Sequence, residues 1–347
     1  MPTHSAPALL TIVICNYNYA PYLGGAIDSA LRQTAPGVRV MVIDDGSSDG
    51  SRDIILGYGD RIEAVFQPNG GQVSAYNHAL RRLGTPCVIF LDADDQLQPD
   101  AAEAVLAAFA AGDYVKIQFR LEVMTADGTL TGVQVPQSSD VTDCGMRLRD
   151  GWLYPSPPGS GNAYRVDALR RIFPVPVTAD NIHGADFYAI YGIALVGGVG
   201  SLDRPLGRYR VHRHTTAQTG RSDSASLSLA NAEDALAGAR QSARRWAILR
   251  GLAWERLGIV LPAEFLDFSA EKAHFATLLH GAPLTRRWHW FRHESSRYFH
   301  TIAANPFWSA RKKLAVWCLT ALCLVPVASI SNRAVRYIAN PLARAGY

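Results

Sequence analysis

The chain has 347 residues, of which 48% are hydrophobic and 18% are charged. This composition describes an ordered protein and excludes a disordered chain, and the length suffices for one large domain with an appendage. The formal net charge of +4 is unevenly distributed, because residues 272–347 carry +10 and the remainder carries −6.

Strand and helix patterns alternate over the first hundred residues at spacings typical of βαβ units. The sequence predicts buried strands at residues 9–15, 38–43, 62–66 and 87–91. Apolar residues at helical spacing indicate helices within residues 23–31, 51–56 and 73–83. Together these elements predict an α/β fold with a mostly parallel sheet flanked by helices.

Two polar clusters follow predicted strands. Asp44–Asp49 comes after the second strand, and Asp92–Asp95 comes after the fourth. In open parallel sheets, ligands bind beyond the carboxyl ends of the strands. Both clusters are therefore expected to face one crevice.

Three carboxylates, on Asp92, Asp94 and Asp95, lie within four positions at a strand end. Like charges placed together cost stability unless something positive lies beside them. Mg²⁺ or Mn²⁺ fits this need, because both ions take one or two carboxylates together with substrate phosphates. The alternative is an acidic loop after an edge strand.

The rest of the chain separates into a mixed segment and a helical one. Residues 99–111 predict an Ala-rich helix, and residues 114–124 predict a strand. Residues 125–160 are rich in Gly, Pro and Ser and are predicted as loop. Helices are predicted at residues 166–172 and 186–196, and a final strand at residues 202–211. From about Ser224 onward the patterns are helical. We divide the chain into an α/β domain, a helical C-terminal region and a basic, apolar tail, at residues 1–220, 221–308 and 309–347.

Several motifs occur in a fixed order and resemble those of the family 2 glycosyltransferases. They are Cys15-Asn16-Tyr17-Asn18, Gln33-Thr34, Val42–Gly50, Asn69–Asn77, Phe90–Asp95, Gly161–Arg165, Asp186 and Tyr209–His212. The resemblance covers roughly residues 9–215 and implies a nucleotide-sugar domain with the GT-A fold, a Rossmann-like sheet, followed by a C-terminal helical extension. Cys15-Asn16 replaces the small hydroxyl residue that is usual after the first strand.

The resemblance implies roles for individual residues. The residues expected to contact the nucleotide sugar are Asn16, Tyr17, Asn18, Asp45, Asn77, Asp92, Ala93, Asp94 and His212. Asp94 is expected to be the principal metal ligand, supported by Asp92 and Asp95. Asp45 can accept a hydrogen bond from uracil, and Tyr17 can cover the ring. The alternatives are a turn residue for Asp45 and a structural histidine for His212.

Transfer to an alcohol also needs a base, which the family places at a helix start. Asp186 occupies this position, and its alternative role is a helix cap. Proton removal by a carboxylate fits an inverting single displacement. Residues 241–246 resemble, with one extra residue, the Gln-x-x-Arg-Trp signature of processive polysaccharide synthases, and we interpret them as a helix face.

The implied function is transfer of a single sugar, with a UDP-linked donor favoured, to a hydroxyl of a glycan or lipid-linked acceptor. The alternatives are a processive polysaccharide synthase and a degenerate protein that binds nucleotides or glycans. The intact set of Asp45, Asp94 and Asp186 argues against the degenerate protein.

The basic tail contains an uncharged run, Leu314–Ser331, which is near the lower length limit for spanning a bilayer. Its aromatic and basic surroundings favour docking at a membrane surface over nucleic acid, with a span or a buried helix as alternatives. Five cysteines without metal-like spacing, and no secretory signal pattern, favour a cytoplasmic protein at the inner membrane face.

Overall fold

The computed structural model describes residues 8–136, 142–212 and 232–339. The strands are β1 (Leu10–Asn16), β2 (Val38–Asp44), β3 (Glu63–Phe66), β4 (Cys87–Asp92), β5 (Gln96–Leu97), β6 (Tyr114–Met124), β7 (Leu130–Val135), β8 (Asn162–Arg165) and β9 (Gly198–Arg210). The helices of the first part are α1 (Ala20–Leu31), α2 (Ser51–Gly57), α3 (Gly71–Arg82), α4 (Ala101–Ala111), α5 (Cys144–Arg149), α6 (Val166–Leu169) and α7 (Ala185–Phe187). The later helices are α8 (Ala232–Leu257), α9 (Phe268–Leu279), α10 (Leu284–His293), α11 (Ser296–Ala304), α12 (Ala310–Leu322) and α13 (Ala328–Ala339).

The nine strands of the described residues form one sheet in the order β3-β2-β1-β4-β8-β6-β9-β5, and β7 pairs with β6. β1 is parallel to β2 and β4, and β2 is parallel to β3. β8 is antiparallel to both β4 and β6, so β6 and its parallel partner β9 run in the same direction as β4. The carboxyl ends of β1, β2, β4 and β9 therefore lie along one edge of the sheet.

The core of the sheet follows from the apolar runs that predicted the strands. Ile12, Ile14, Val42, Ile89 and Leu91 are buried in a single cluster with apolar residues of α1 and α4. Strands covered on both faces must be apolar on both faces, which explains the unbroken runs. The strands predicted in the first hundred residues are found within one residue of their expected positions.

Two segments differ from the sequence prediction. Residues 125–160 contain β7 and α5 rather than loop alone. The helix predicted at residues 186–196 begins with α7 and continues as a π-helix over Tyr188–Gly192. Glycines favoured the loop prediction, yet Gly132 lies inside β7 at φ +74°, where β7 pairs irregularly with β6.

The chain divides into two compact units. The first contains the residues up to Arg210 together with Arg245–Ala263, and the second contains Val211–Arg244 and Glu264–Tyr347. The predicted boundary between residues 220 and 221 lies outside the described residues. The carboxyl half of α8 belongs to the first unit because Trp246, Leu249 and Ala253 form an apolar face that is buried there.

The second unit has its own core. Phe275, Trp290, Tyr298 and Ile302 pack with buried residues of the segment that was predicted as a separate tail, among them Val335. That segment forms α12 and α13, so the uncharged run predicted from Leu314 is divided between two short helices. Among the residues that the structure describes, no helix has both the length and the apolar character that crossing a bilayer needs.

Candidate active site

The acidic motif lies where β4 ends, and the short segment Gly159–Gly161 holds it in place. The Ser160 hydroxyl donates to Asp95 Oδ2 at 2.6 Å and accepts from the backbone N–H of Asp92 at 3.0 Å. The backbone N–H of Arg210 donates to Asp95 Oδ1 at 2.8 Å, and Arg210 Nε donates to the carbonyl of Asp94 at 2.9 Å. The motif is thus tied both to residue 160 and to the end of β9.

Asp95 differs from the other two carboxylates of the motif. Its side chain is completely buried, and each of its oxygens accepts a hydrogen bond from the protein. Burial, together with the charges of Asp92 and Asp94, raises the pKa of the Asp95 carboxyl. Asp95 therefore anchors the motif, and its role as a supporting metal ligand stays a prediction, whereas Asp92 and Asp94 are only half-buried.

Asp92 and Asp186 meet across Gly159. A Cβ atom added to this glycine would lie 3.5 Å from Asp186 Cβ, 3.6 Å from Asp92 Oδ2 and 3.9 Å from the Tyr76 hydroxyl. The Tyr76 ring stacks on Phe90 with centroids 3.8 Å apart, which fixes that wall of the site. The missing side chain at residue 159 leaves a cradle bounded by two carboxylates that are 94 positions apart in the sequence.

Asp186 lies in α7, whose start is capped by another residue. Gln72 Oε1 accepts from the backbone N–H groups of Gly184 and Ala185, both at 3.0 Å. Burial raises the pKa of Asp186, and the Arg245 guanidinium acts in the opposite direction. Gly184, at φ +81°, lets Arg245 approach closely, because a Cβ there would lie 2.2 Å from the guanidinium carbon.

Negative charge at the site is only partly compensated. Burial and the neighbouring Asp186 and Asp94 raise the pKa of Asp92 to about 7. No group of three or more His, Cys, Asp or Glu side chains in the described residues is arranged to hold a metal ion. The surplus charge and the two half-buried carboxylates fit a hard divalent ion that takes its remaining oxygen ligands from water and a diphosphate.

The second polar cluster organises the loops after β1 and β2. Asn16 Nδ2 donates to Asp44 Oδ1 at 2.8 Å, and the hydroxyl of Ser47 donates to the same oxygen at 2.5 Å. Asn18, at φ +58°, accepts from the backbone N–H of Ser48 at 2.8 Å. Asn16 Oδ1, at the end of β1, is a buried acceptor that has no hydrogen-bond partner among the described residues.

Asp45 is almost fully buried and accepts three hydrogen bonds. The donors are Gln67 Nε2 at 2.6 Å and the backbone N–H groups of Gly70 and Gly71 at 2.9 and 2.7 Å. Gly71 must be glycine, because it has φ +78° and its Cβ would lie 2.3 Å from the carbonyl oxygen of Ile182. These contacts favour a structural role for Asp45 in holding a turn. The turn that it holds is residues 67–71, not the loop in which Asp45 itself lies.

The other predicted contact residues lie in different surroundings. Tyr17 is 47% exposed beside the β1 end, whereas Ala93 is buried. Asn77 Nδ2 donates to the carbonyl of Val175 at 2.8 Å, and Asn77 Oδ1 accepts from the Val175 N–H at 2.9 Å. Asn77 therefore holds the backbone at Val175. His212 follows β9 and belongs to the second unit.

Four residues at the site were not predicted from the sequence: Gln72, Gly159, Ser160 and Arg245. Arg245 lies within the residues that we interpreted as a helix face, so the resemblance of that segment to a synthase signature was the available signal. Gln72 belongs to a recognised motif but carried no predicted role. Gly159 and Ser160 lie in a Pro- and Gly-rich stretch without any pattern that marks a site.

Comparisons with known proteins identify the family of this chain. The family model described as glycosyl transferase family 2 matches residues 11–173. An uncharacterized glycosyltransferase of Nostoc sp. is 34% identical over 235 residues, which are 65% of this chain and 72% of that protein. Chondroitin synthase of Pasteurella multocida is 38% identical over 109 residues, 30% of this chain but only 11% of the synthase.

The structure of residues 1–349 of S. aureus TarS, solved in complex with UDP-GlcNAc, superposes on this chain with a TM-score of 0.51 at 16% identity. The superposition covers 95% of this chain and 90% of the TarS chain. At this identity the likeness concerns the fold, and it confirms the predicted fold class.

Asp92→Asn should stabilise the ligand-free protein at alkaline pH. The folded-state pKa of Asp92, about 7, lies above the ordinary value of 3.8, so the folded protein binds this proton more tightly. The resulting contribution to stability is complete below about pH 4 and is lost as the pH rises to 7. We expect the variant to have a free energy of unfolding higher by roughly 1–3 kcal/mol at pH 8 and a smaller gain at pH 5.

Urea denaturation in the presence of a chelator measures this difference. Asp113→Asn, which removes an exposed carboxylate between α4 and β6, is the matched control and should change stability little at either pH. An equal effect of Asp92→Asn at pH 5 and pH 8 would contradict the assignment.

Proposed function

The chain belongs to the family 2 glycosyltransferases, and we propose that it moves a single sugar, with inversion, from a UDP-linked donor to a hydroxyl group of a glycan or lipid-linked acceptor. The observation that carries this proposal is the cradle at Gly159, where Asp92 and Asp186 face each other beside Tyr76. The cradle offers one carboxylate to each side of a transferred sugar, the diphosphate side and the acceptor side.

Asp186 is the proposed general base. As the acceptor oxygen attacks the anomeric carbon, its proton passes to the Asp186 carboxylate, and the bond to the nucleoside diphosphate breaks on the opposite face of the sugar. A base must be unprotonated, and Arg245 favours the ionised form against the effect of burial. Because Gln72 caps the α7 start, Asp186 is not needed for that role.

Asp94 and Asp92 are the residues that would hold Mg²⁺ or Mn²⁺. The ion would supply positive charge to the diphosphate as it departs. The pKa of Asp92 is about 7 in the ligand-free protein, so a bound cation would readily displace its proton at neutral pH. Asp95 keeps the motif in register through Ser160 and Arg210.

The uridine part of the donor is proposed to lie beside the ends of β1 and β2. Tyr17 offers an exposed ring there for the base, and Asn16 and Asn18 shape the loop through Asp44, Ser47 and Ser48. Asp45 contributes indirectly, because its hydrogen bonds fix residues 67–71 next to the end of β2. His212 remains a predicted contact of the diphosphate.

The second unit is proposed to bind an anionic membrane surface through one face of α12. Leu314 is 66% exposed and Leu322 42% exposed, and Val327 and Ile330 beyond them are also exposed. Exposed Arg311 and Lys312 begin this helix. An apolar helix face with basic residues at its end is suited to the headgroup region of a bilayer.

The donor assignment is tested with a panel of UDP-, GDP- and CDP-linked sugars. We expect hydrolysis or transfer of one UDP-sugar that requires Mg²⁺ or Mn²⁺. Asp94→Ala should abolish turnover and weaken metal-dependent UDP binding without unfolding the protein, because it relieves repulsion at the site. Wild-type turnover in Asp94→Ala would defeat the metal assignment, and a product carrying many sugars would indicate a processive synthase.

Asp186→Asn separates the base from the donor site. An asparagine keeps the size and the hydrogen bond to the Phe187 N–H, but it cannot take a proton from the acceptor. We expect single-turnover transfer to fall by about 10²–10⁴, while UDP affinity stays close to that of the wild type. Rates within a few-fold of wild type would show that another group removes the proton.

The membrane proposal is tested with the double variant Leu314→Ser, Leu322→Ser. Both side chains are exposed, so folding should be preserved, whereas affinity for phosphatidylglycerol vesicles should fall at least about tenfold because about 1.5–3 kcal/mol is available per buried leucine. Leu56→Ser, an exposed leucine of α2, is the control. Co-sedimentation that does not change in the double variant, or that is equal with phosphatidylcholine vesicles, would reject this surface.

A further inference from the structure

Lys116 is a completely buried lysine in β6 that makes no ion pair with any described carboxylate. Its ammonium group donates to Gln118 Oε1 at 3.2 Å, to the Tyr154 hydroxyl at 3.2 Å and to the Ser156 hydroxyl at 3.0 Å. A buried charge is costly unless its hydrogen bonds are satisfied. The three N–H groups of the Lys116 ammonium are satisfied by three neutral oxygens.

None of these three oxygens has a proton available to donate to Lys116. The Tyr154 hydroxyl donates to the carbonyl of Ile190, the Ser156 hydroxyl donates to Asn162 Oδ1 at 3.1 Å, and Gln118 Oε1 carries no proton. All three groups therefore act as acceptors toward Lys116. An ammonium group has three donors but a neutral amine has two, so loss of the proton would leave one of these acceptors without a partner.

The network continues from Lys116 to the cradle at Gly159. Asn162, held by Ser156, donates through Nδ2 to the carbonyls of Pro158 at 2.9 Å and Gly159 at 3.2 Å. Gln118 Nε2 donates to the carbonyl of Pro155 at 3.4 Å. The backbone of residues 155–159 is thus tied to β6 and β8 by side chains that Lys116 orients, and Ser160 extends from the end of this backbone to Asp92 and Asp95.

We propose that Lys116, in its ammonium form, is a positioning residue that fixes residues 155–162 and thereby the spacing of Asp92 and Asp186 across Gly159. This inference rests on the proposed function for the roles of the two carboxylates. Lys116 touches neither of them and acts through Ser156 and Asn162. Geometry of this kind matters because an error of about 1 Å in the placement of reacting groups can cost 10²-fold in rate.

The surroundings of Lys116 make it sensitive to pH in the neutral range. Burial lowers its pKa to about 7. The titratable groups that face it are the Cys144 thiol of α5 and the Tyr154 phenol, with Tyr164 of β8 and Tyr191 of the π-helix behind them. Burial raises the pKa of Cys144 to about 11 and raises those of Tyr154 and Tyr164, so these three remain neutral while Lys116 titrates.

Two variants of the full-length protein test the proposal. Lys116→Met keeps the length of the side chain and removes the charge, and Ser156→Ala leaves Lys116 in place but breaks its link to Asn162. Ile55→Ala, which removes a buried side chain of α2 away from the network, controls for a general loss of stability. Amide hydrogen exchange of residues 150–163 is measured first, because it needs no substrate, and hydrolysis of UDP-glucose and UDP-N-acetylglucosamine is measured second.

We expect amide exchange in residues 155–162 to rise at least about tenfold in both variants and not in the control. The kcat for donor hydrolysis should fall by about 10- to 100-fold with KM within threefold. The wild-type kcat should decline as the pH rises through the Lys116 pKa, and this decline should be absent in Lys116→Met.

Unchanged exchange in both variants, or a wild-type kcat in Ser156→Ala, would overturn the proposal. A wild type that turns over neither UDP-sugar while its variants lose protection at residues 155–162 would support the positioning role and count against the proposed donor.

Discussion

Mutual repulsion of carboxylates at the carboxyl edge of the sheet is the constraint on which the site depends. Burial and the charges of Asp186 and Asp94 raise the pKa of Asp92, and burial and the charges of Asp92 and Asp94 raise the pKa of Asp95. The protein fixes the most buried member, Asp95, with two hydrogen bonds. It leaves Asp92 and Asp94 partly open to solvent, where a cation can reach them. Full burial and partial exposure are thus divided between adjacent residues of one motif.

The segment between α5 and β8 holds the acidic motif in place and separates Asp92 from Asp186. The Ser160 hydroxyl accepts a hydrogen bond from the Asp92 N–H and donates one to Asp95. Gly159 leaves room between Asp92 and Asp186. Within residues 153–161 of this segment, the backbone has one short turn, Gly159–Gly161, and no strand or α-helix. Its rigidity must come from side chains, and Asn162, with donors to three successive carbonyls, supplies much of it.

The sequence predicted the parts of the fold that have a strong local period. Buried strands such as β1 and β4 and the helices between them follow from apolar runs and from helical spacing. β7 and α5 were not predicted because glycine and proline indicate loop when contacts between distant strands cannot be seen. Likewise, Asp186 was recognised by its motif, but Arg245, whose charge acts against the raised pKa of Asp186, lies in another segment of the chain. The close approach of Arg245 to residue 184 requires a glycine there, which no sequence spacing encodes.

Asp45 illustrates why a motif predicts the position of a residue better than its role. Both Asp45 and Asp92 stand at strand ends at the same edge of the sheet. Asp45 faces two backbone N–H groups and an amide, so its charge is satisfied within the protein. Burial and the charges of Asp186 and Asp94 raise the pKa of Asp92 to about 7, although the Ser160 hydroxyl acts in the opposite direction. The difference arises from which distant loop approaches each strand end, the glycine pair at residues 70–71 in one case and Asp186 in the other. At this edge of the sheet an acidic residue is therefore satisfied within the protein where the approaching loop brings donors, and its pKa is raised where the loop brings further negative charge.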